Sequence, residues 1–304
     1  MTWKDCLMNI CEIFERFAKA YAEIILYKRA VKTTAKNEFN ELMKNEPLFN
    51  TLGFQGIPVS ASNVHFKEAR TGDLKLITQQ RHSIEDKKKS VFLHKNRQYR
   101  WILAEAYEIF EDFLEEAYVF AGLTDETLWH EKDLNALSQT SVEQTRTEML
   151  VGVVKNKRDK PSSILNQFRN CFEELGTVEL EKGNELQLNM KFTLILIEHL
   201  RHIIVHKKGN VSNFQMFCEN VIKKSGVYNN GNYPKEYLDF IKLYFGANEL
   251  ENTITLLEYE ITEGGITFTD DRFENTLLNC LIAYAQLISV CLDEHYKRIN
   301  PVTP

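Results

Sequence analysis

No two of the six cysteines stand at the C-x-x-C spacing of a zinc or redox site. Cys6, Cys11, Cys171, Cys218, Cys280 and Cys291 fall mostly in apolar helical runs, where a free buried thiol is the expected state. A positive balance is also missing. The chain has 37 Lys and Arg against 43 Asp and Glu, a formal charge of -6. The molecule as a whole therefore does not draw in nucleic acid, and any such binding requires a local basic surface. Long uncharged runs are scarce. Residues 47–66 are broken by glycine, proline and polar side chains. Residues 275–292, "NTLLNCLIAYAQLISVCL", carry asparagine, glutamine, serine and threonine, so a buried core helix is expected and no membrane span. The start, "MTWKDCLMNICEIFERF", reads as an amphipathic helix rather than a signal peptide. Repeats and low-complexity tracts are absent. The expected compartment is a reducing cytoplasm.

At 304 residues, with 43% hydrophobic side chains, the chain can bury one large core, with or without an appendage. Apolar residues at three- and four-residue spacing predict a long helix over 2–31, with a shorter one over 34–45. Glycine, proline and serine between 46 and 90 predict loop with at most a short strand, and "RHSIEDKKKS" a solvated stretch. A second long helix is predicted over 94–121. Further helices are expected at 125–147, from a cap at Ser162 or Ser163 to Leu175, over 186–208, 211–223 and 234–246, and from Asp271 to about 297. The 154–163 stretch, "VKNKRDKPSS", reads as a basic turn, and 177–185 as a loop. Asp271 with Glu274 forms a capping-box pattern. "TITLLEYEITEGGITFTD" alternates around Gly264-Gly265 and predicts a β-hairpin. The class is all-α with one small hairpin.

Charge is segregated along this order. Residues 63–100 hold ten Lys and Arg against four Asp and Glu, and residues 101–135 hold one against ten. Such an arrangement either orients a polyanion or marks a solvated helix face.

The chemistry concentrates in "LIEHLRHIIVHKKGN", Leu196 to Asn210, which holds three of the eight histidines. At about 100° per residue, Leu196, Ile197, Leu200, Ile203 and Ile204 share one arc. Arg201, Glu198, His202, His206 and His199 fall on the opposite arc, interrupted only by Val205. His202 and His206 are at i,i+4. His206 lies in the last turn, where the helix dipole favours a cation, and Lys207 and Lys208 extend that positive end. Three readings are open. Glu198 and Arg201 form a surface ion pair among solvated histidines. Or His199, His202 and His206 ligate a metal, although the motif lacks the glutamate of H-E-x-x-H. Or the face does acid–base chemistry on a phosphodiester. A histidine exchanges protons near neutral pH, and an arginine fork matches phosphate oxygens.

"RHIIVH", Arg201 to His206, resembles the signature of HEPN domains: arginine, a polar residue, a few others, then histidine. The apolar helix before it and "KKGN" after it fit that context, and "YRWILAEAYEIFEDFLEEAYVFAG" resembles the long first helix of that fold. In many members asparagine follows the arginine or the histidine, where this chain has His202 and Lys207. The resemblance covers about 94–298. It implies a helical bundle of HEPN type over 94–304 with an insertion near 211–270, and an N-terminal helical region, 1–93, that it leaves without a role. It implies a homodimeric, metal-independent endoribonuclease using no cofactor, acting as a toxin or phage-defence effector with an antitoxin or regulatory partner. Carried over by position, Arg201 would hold the scissile phosphate, His206 would be the general acid or base and His202 would assist. Glu198 would orient Arg201 or tune a histidine, and Lys207, Lys208 and the 154–160 turn would steer RNA. Some relatives are inactive scaffolds, so a non-catalytic interaction module is the alternative, and a metal-dependent hydrolase the third.

Overall fold

Local signals decide where the helices begin and end, and several differ from the periodicity alone. The computed structural model describes residues 9–51, 58–137, 145–157, 160–172, 175, 181, 183–228, 232–263 and 266–301. The first helix, α1, runs unbroken over Ile10–Thr51 instead of splitting near residue 32. Thr33 does not interrupt it: its hydroxyl donates to the Arg29 carbonyl one turn back at 3.0 Å, inside the helix. A hairpin follows, β1 (Ser60–Lys67) and β2 (Leu74–His82), where loop with at most a short strand was expected. The next helix, α2, spans Ile84–Thr124 and so begins ten residues before its expected start. Ser83 and Asp86 form its cap. The Asp86 carboxylate accepts from the Ser83 amide at 2.9 Å, and the Asp86 amide donates back to the Ser83 hydroxyl at 3.1 Å.

Among the described residues, the expected helix over 125–147 begins as a 3-10 turn, Glu126–Leu128, and the helix α3, Glu131–Leu137, and residues 138–144 lie outside them. A further helix, α4 (Arg146–Asn156), opens on a Thr145–Glu148 capping box. Helix α5 spans Lys160–Cys171, so Ser162 and Ser163 lie inside its first turn and do not cap it; Pro161 suits that turn because the missing amide would be unpaired there anyway. Gly176, the expected stop, lies outside the described residues, as does most of the 177–185 loop. The remaining elements are α6 (Met190–Lys207), α7 (Phe214–Ser225), α8 (Lys235–Lys242), the hairpin β3–β4 (Tyr259–Glu263 and Ile266–Asp270) and α9 (Asn279–Ile299), which is entered through a π turn at Phe273–Leu278. The Gly264-Gly265 turn of that hairpin lies outside the described residues. Asp271 does cap the last helical segment, accepting from the Glu274 amide at 3.1 Å. The described residues are thus mostly helical, with two small antiparallel sheets among them.

Two compact units divide the chain. One joins the residues up to Ile25 to Arg100–Pro304. Its core takes Phe17 and Tyr21 from α1, Phe110 and Phe113 from α2, the apolar stripe of α6, and Leu277, Tyr284 and Ile288 from the last helical segment. Phe17 and Phe113 meet at 5.1 Å between ring centroids. The five residues of the predicted stripe, Leu196, Ile197, Leu200, Ile203 and Ile204, are all buried. The segment Phe273–Ile299 is long and apolar enough to cross a membrane, with a mean hydropathy of 1.5, yet 56% of that window is buried inside the fold. The other unit, Leu26–Tyr99, buries Val31, Val91 and Tyr99, with the Lys28 ammonium 5.5 Å from the Tyr99 ring. Of the cysteines, Cys218, Cys280 and Cys291 are buried and Cys171 partly so, while Cys11 is exposed; Cys6 lies outside the described residues.

Candidate functional site

Helix α6 is held firmly at both ends, which fixes the direction of its polar side chains. Asn189 caps its start, accepting from the Phe192 amide at 3.0 Å. At the other end Lys208 adopts the left-handed conformation, φ 56°, and Gly209 follows at φ 81°. The Gly209 amide returns to the Ile203 carbonyl at 3.1 Å, an αL helix ending of the kind glycine favours. Arg100 then closes the end from α2, donating Nη1 to the Lys208 carbonyl at 2.8 Å. The backbone beyond is tied to a distant segment, with the Ile254 amide donating to the Gly209 carbonyl and the Val211 amide to the Asn252 carbonyl.

The polar arc of α6 divides between two surroundings. Glu198, His199, Arg201 and His202 line an open cleft of about 660 Å³ together with Tyr107 and Glu111 of α2, Pro161 and Ser162 of α5, and Lys224 of α7. His206 is exposed and lies outside that lining, but its ring is 4.7 Å from that of His202. Lys207 and Lys208 are exposed at the end of the helix. The structure therefore brings Arg201 and His202 into one cleft and joins His206 to them only through the His202 ring.

Pairing within the cleft differs from the i,i+3 ion pair that the sequence allows. Arg201 donates Nη2 to Glu108, on α2, at 3.0 Å. Glu198 pairs instead with Lys224, at 2.6 Å, so its contact is with α7 and not with Arg201. The acidic run of α2 supplied the missed residues. Glu108 and Glu111 sit one turn apart in it, and the i,i+3 spacing of those carboxylates was the available signal.

Burial sets the electrostatics. Desolvation pushes the Glu111 carboxyl up, against the pull of Arg201. Burial lowers the His199 pKa, helped by the Lys224 ammonium and opposed by Glu198. His202 is lowered by desolvation, then by His206, Lys207 and Arg201, with Glu198 opposing. Both imidazoles are therefore biased toward the neutral form, which can accept a proton. Two polar atoms in the cleft wall, Arg201 Nε and His199 Nε2, are buried without a hydrogen-bond partner among the described residues. Native folds seldom leave such atoms unsatisfied. An anionic oxygen in the cleft would give the Arg201 Nε–H an acceptor and match the guanidinium fork. Among the described residues no group of three or more His, Cys, Asp or Glu side chains is placed to hold a metal ion; the i,i+3,i+7 histidines of α6 do not converge.

Compared with protein-family models, with curated proteins and with solved structures, the chain matches none.

Proposed function

We propose that this chain is an endoribonuclease of HEPN type that cleaves RNA without a metal ion. The observation that carries the reading is the placing of Arg201 and His202 in one cleft, with the His206 ring 4.7 Å from His202. An arginine fork and two adjacent imidazoles suffice for this reaction, because RNA carries its own nucleophile. One imidazole takes the proton of the substrate's 2′-hydroxyl. That oxygen attacks phosphorus, and the bond to the 5′-oxygen breaks as that oxygen gains a proton from the second imidazole. Arg201 bears the negative charge that builds on the phosphoryl oxygens. His206 is the principal acid or base. His202, held toward its neutral form, assists by sharing the proton. Lys207 and Lys208, exposed beside it, bind the adjoining phosphates.

In this reading Glu108 holds Arg201 until the scissile phosphate displaces it. The protein works as a homodimer, two α6 helices facing across one cleft so that donors missing from one copy come from the other. It serves as a toxin or phage-defence effector, restrained by an antitoxin or regulatory protein. Mapping the cut ends tests the chemistry: the reading requires a 2′,3′-cyclic phosphate and a 5′-hydroxyl, and a 5′-phosphate product overturns it. Light scattering tests the assembly, and a fully active monomer removes the dimer.

Two observations favour a second reading, a non-catalytic helical interaction module. Arg201 already has a carboxylate partner in Glu108, and His206 stands outside the cleft. In that case the arc is a docking face, and RNA stays intact.

A further inference from the structure

The hairpin of the Leu26–Tyr99 unit has no buried face. Every residue of β1 after Ser60 is exposed, and every residue of β2 before His82. A two-stranded sheet with both faces in solvent contributes little to a core. Yet this one presents large apolar side chains: Phe66 is 47% exposed, Leu74 65% and Ile77 60%. Cations accompany them. Lys67, Arg70 and Arg81 are exposed and have no partner among the described residues. Lys75, by contrast, pairs with Glu68 at 3.0 Å.

Net charge sets this unit apart. Residues 26–99 hold 14 Lys and Arg against 7 Asp and Glu, a balance of +7, in a chain whose total is -6. The other residues therefore carry 23 cations against 36 acids, or -13. A polyanion is repelled by the unit that holds the α6 site and attracted by the unit that holds the hairpin.

Register arranges the hairpin side chains. A bulge between Val64 and His65 shifts the pairing, so that His65 faces Leu76 and Lys67 faces Leu74, while Asn63 faces Gln79 and Ala61 faces Arg81. One face thus carries Arg81, then the amides of Asn63 and Gln79, then His65 beside Leu76, then Lys67 beside Leu74. Successive β1 residues on that face stand about 6.6 Å apart. The opposite face carries Phe66 beside Lys75 and Val64 beside Thr78. Lys67 and Arg81 lie toward opposite ends of one face, with the exposed Leu74 and Leu76 on that same face and Arg70 in the connecting turn, while Phe66 is on the other face. Exposed cations and apolar side chains on one narrow ribbon fit a flexible strand that curls over its edge, its phosphates meeting the cations and a base stacking on the Phe66 ring. Duplex RNA fits poorly, because its deep, narrow major groove does not admit such a ribbon.

We infer that the hairpin Ser60–His82 is a binding surface for single-stranded RNA that recruits substrate to an otherwise acidic protein. The inference rests on the ribonuclease reading for its choice of RNA, and it deepens that reading by naming the anchor. The charge-neutral side chains of Phe66 and Asn63 supply stacking and hydrogen bonds, while Lys67, Arg70 and Arg81 supply the attraction.

The test is RNA binding by the full chain carrying His206→Ala, followed by fluorescence anisotropy with a labelled single-stranded oligonucleotide over a range of salt. With the site disabled, binding is read whether or not the chain cuts RNA. The triple substitution Lys67→Gln, Arg70→Gln, Arg81→Gln should weaken binding at least tenfold and flatten the salt dependence by about two units of slope, since each phosphate contact to a single strand contributes about 0.7. Phe66→Ala should weaken binding to the oligonucleotide more than to an abasic strand of the same charge. All four side chains are exposed, so circular dichroism should show an unchanged fold. Lys297→Gln, on the other unit, serves as the control and should change little. Binding that survives the triple substitution overturns the inference. So does binding that falls equally for duplex DNA and heparin and ignores Phe66, which makes the hairpin a nonspecific polyanion patch. RNA held by the hairpin but left uncut by the unmutated protein keeps the inference and defeats the ribonuclease reading.

Discussion

Replacing Arg201 with lysine separates a working arginine from an ornamental one. The substitution keeps the charge and removes the planar fork. In the folded protein the Arg201–Glu108 pair is partly exposed, at 27% and 58%, and salt screens it. Exposed pairs contribute about 0–1 kcal/mol, so Arg201→Lys should shift the unfolding free energy by no more than about that amount. The effect on turnover should be far larger. A donor aimed at the charge that develops in the transition state is worth about 2.7–4 kcal/mol, or about a hundred- to a thousandfold in rate. Arg201 Nε is a donor that lysine cannot reproduce: it is buried and has no partner among the described residues, and in the proposed reading a substrate oxygen would supply one. The assay is single-turnover cleavage of a labelled RNA, beside a urea melt of both proteins. Activity within about threefold of wild type at equal stability refutes the role given to Arg201. An equal loss of activity and of fold would make Arg201 a structural residue only.

The histidines should respond unequally. His206→Gln should abolish turnover, because glutamine exchanges no proton at neutral pH, and His202→Gln should reduce it partly; His199→Gln should matter least, and equal losses across the three would mean the roles are misassigned. Stability should depend on pH through His199, whose folded pKa burial pushes below its ordinary value of 6.5. The unfolded chain then binds the proton more readily, so this contribution is complete above about pH 6.5 and is lost as the pH falls below it. Melts at pH 7.5 and pH 5.5 should therefore show a smaller acid loss for His199→Gln than for wild type, and an equal loss counts against this assignment. Gly209→Ala should cost about 1–3 kcal/mol in a thermal melt, because position 209 requires φ 81° and the new Cβ meets the Arg100 side chain that closes the helix. An unchanged Tm would mean that the end of α6 is not held as described.

The buried stripe of α6 was legible because five apolar residues on one arc leave a helix a single way to pack. Its polar arc was legible only as a list. Periodicity places Arg201 and Glu198 near each other, but it holds no information about Glu108, 93 residues away, or Lys224 on α7, and those partners take the ion pairs. The hairpin at Ser60–His82 escaped for a local reason. The alternation in its strands is only three residues long, Val64-His65-Phe66 and Leu74-Lys75-Leu76, and glycine, proline and serine nearby read as loop. The early start of α2 was present in "SIED", a Ser-x-x-Asp cap concealed by the charges that follow it. The split expected in α1 does not occur, and across the expected gap the Thr33 hydroxyl bonds back into the helix.

The most direct measurement of the central claim is cleavage of single-stranded RNA by the purified protein in excess EDTA, beside the His206→Ala variant and beside DNA of the same sequence. The account predicts that RNA is cut with chelator present, that DNA is left intact because it lacks the 2′-hydroxyl, and that His206→Ala is inactive. Cleavage that stops on chelation and returns with zinc or manganese, or cleavage that persists in His206→Ala, would contradict it.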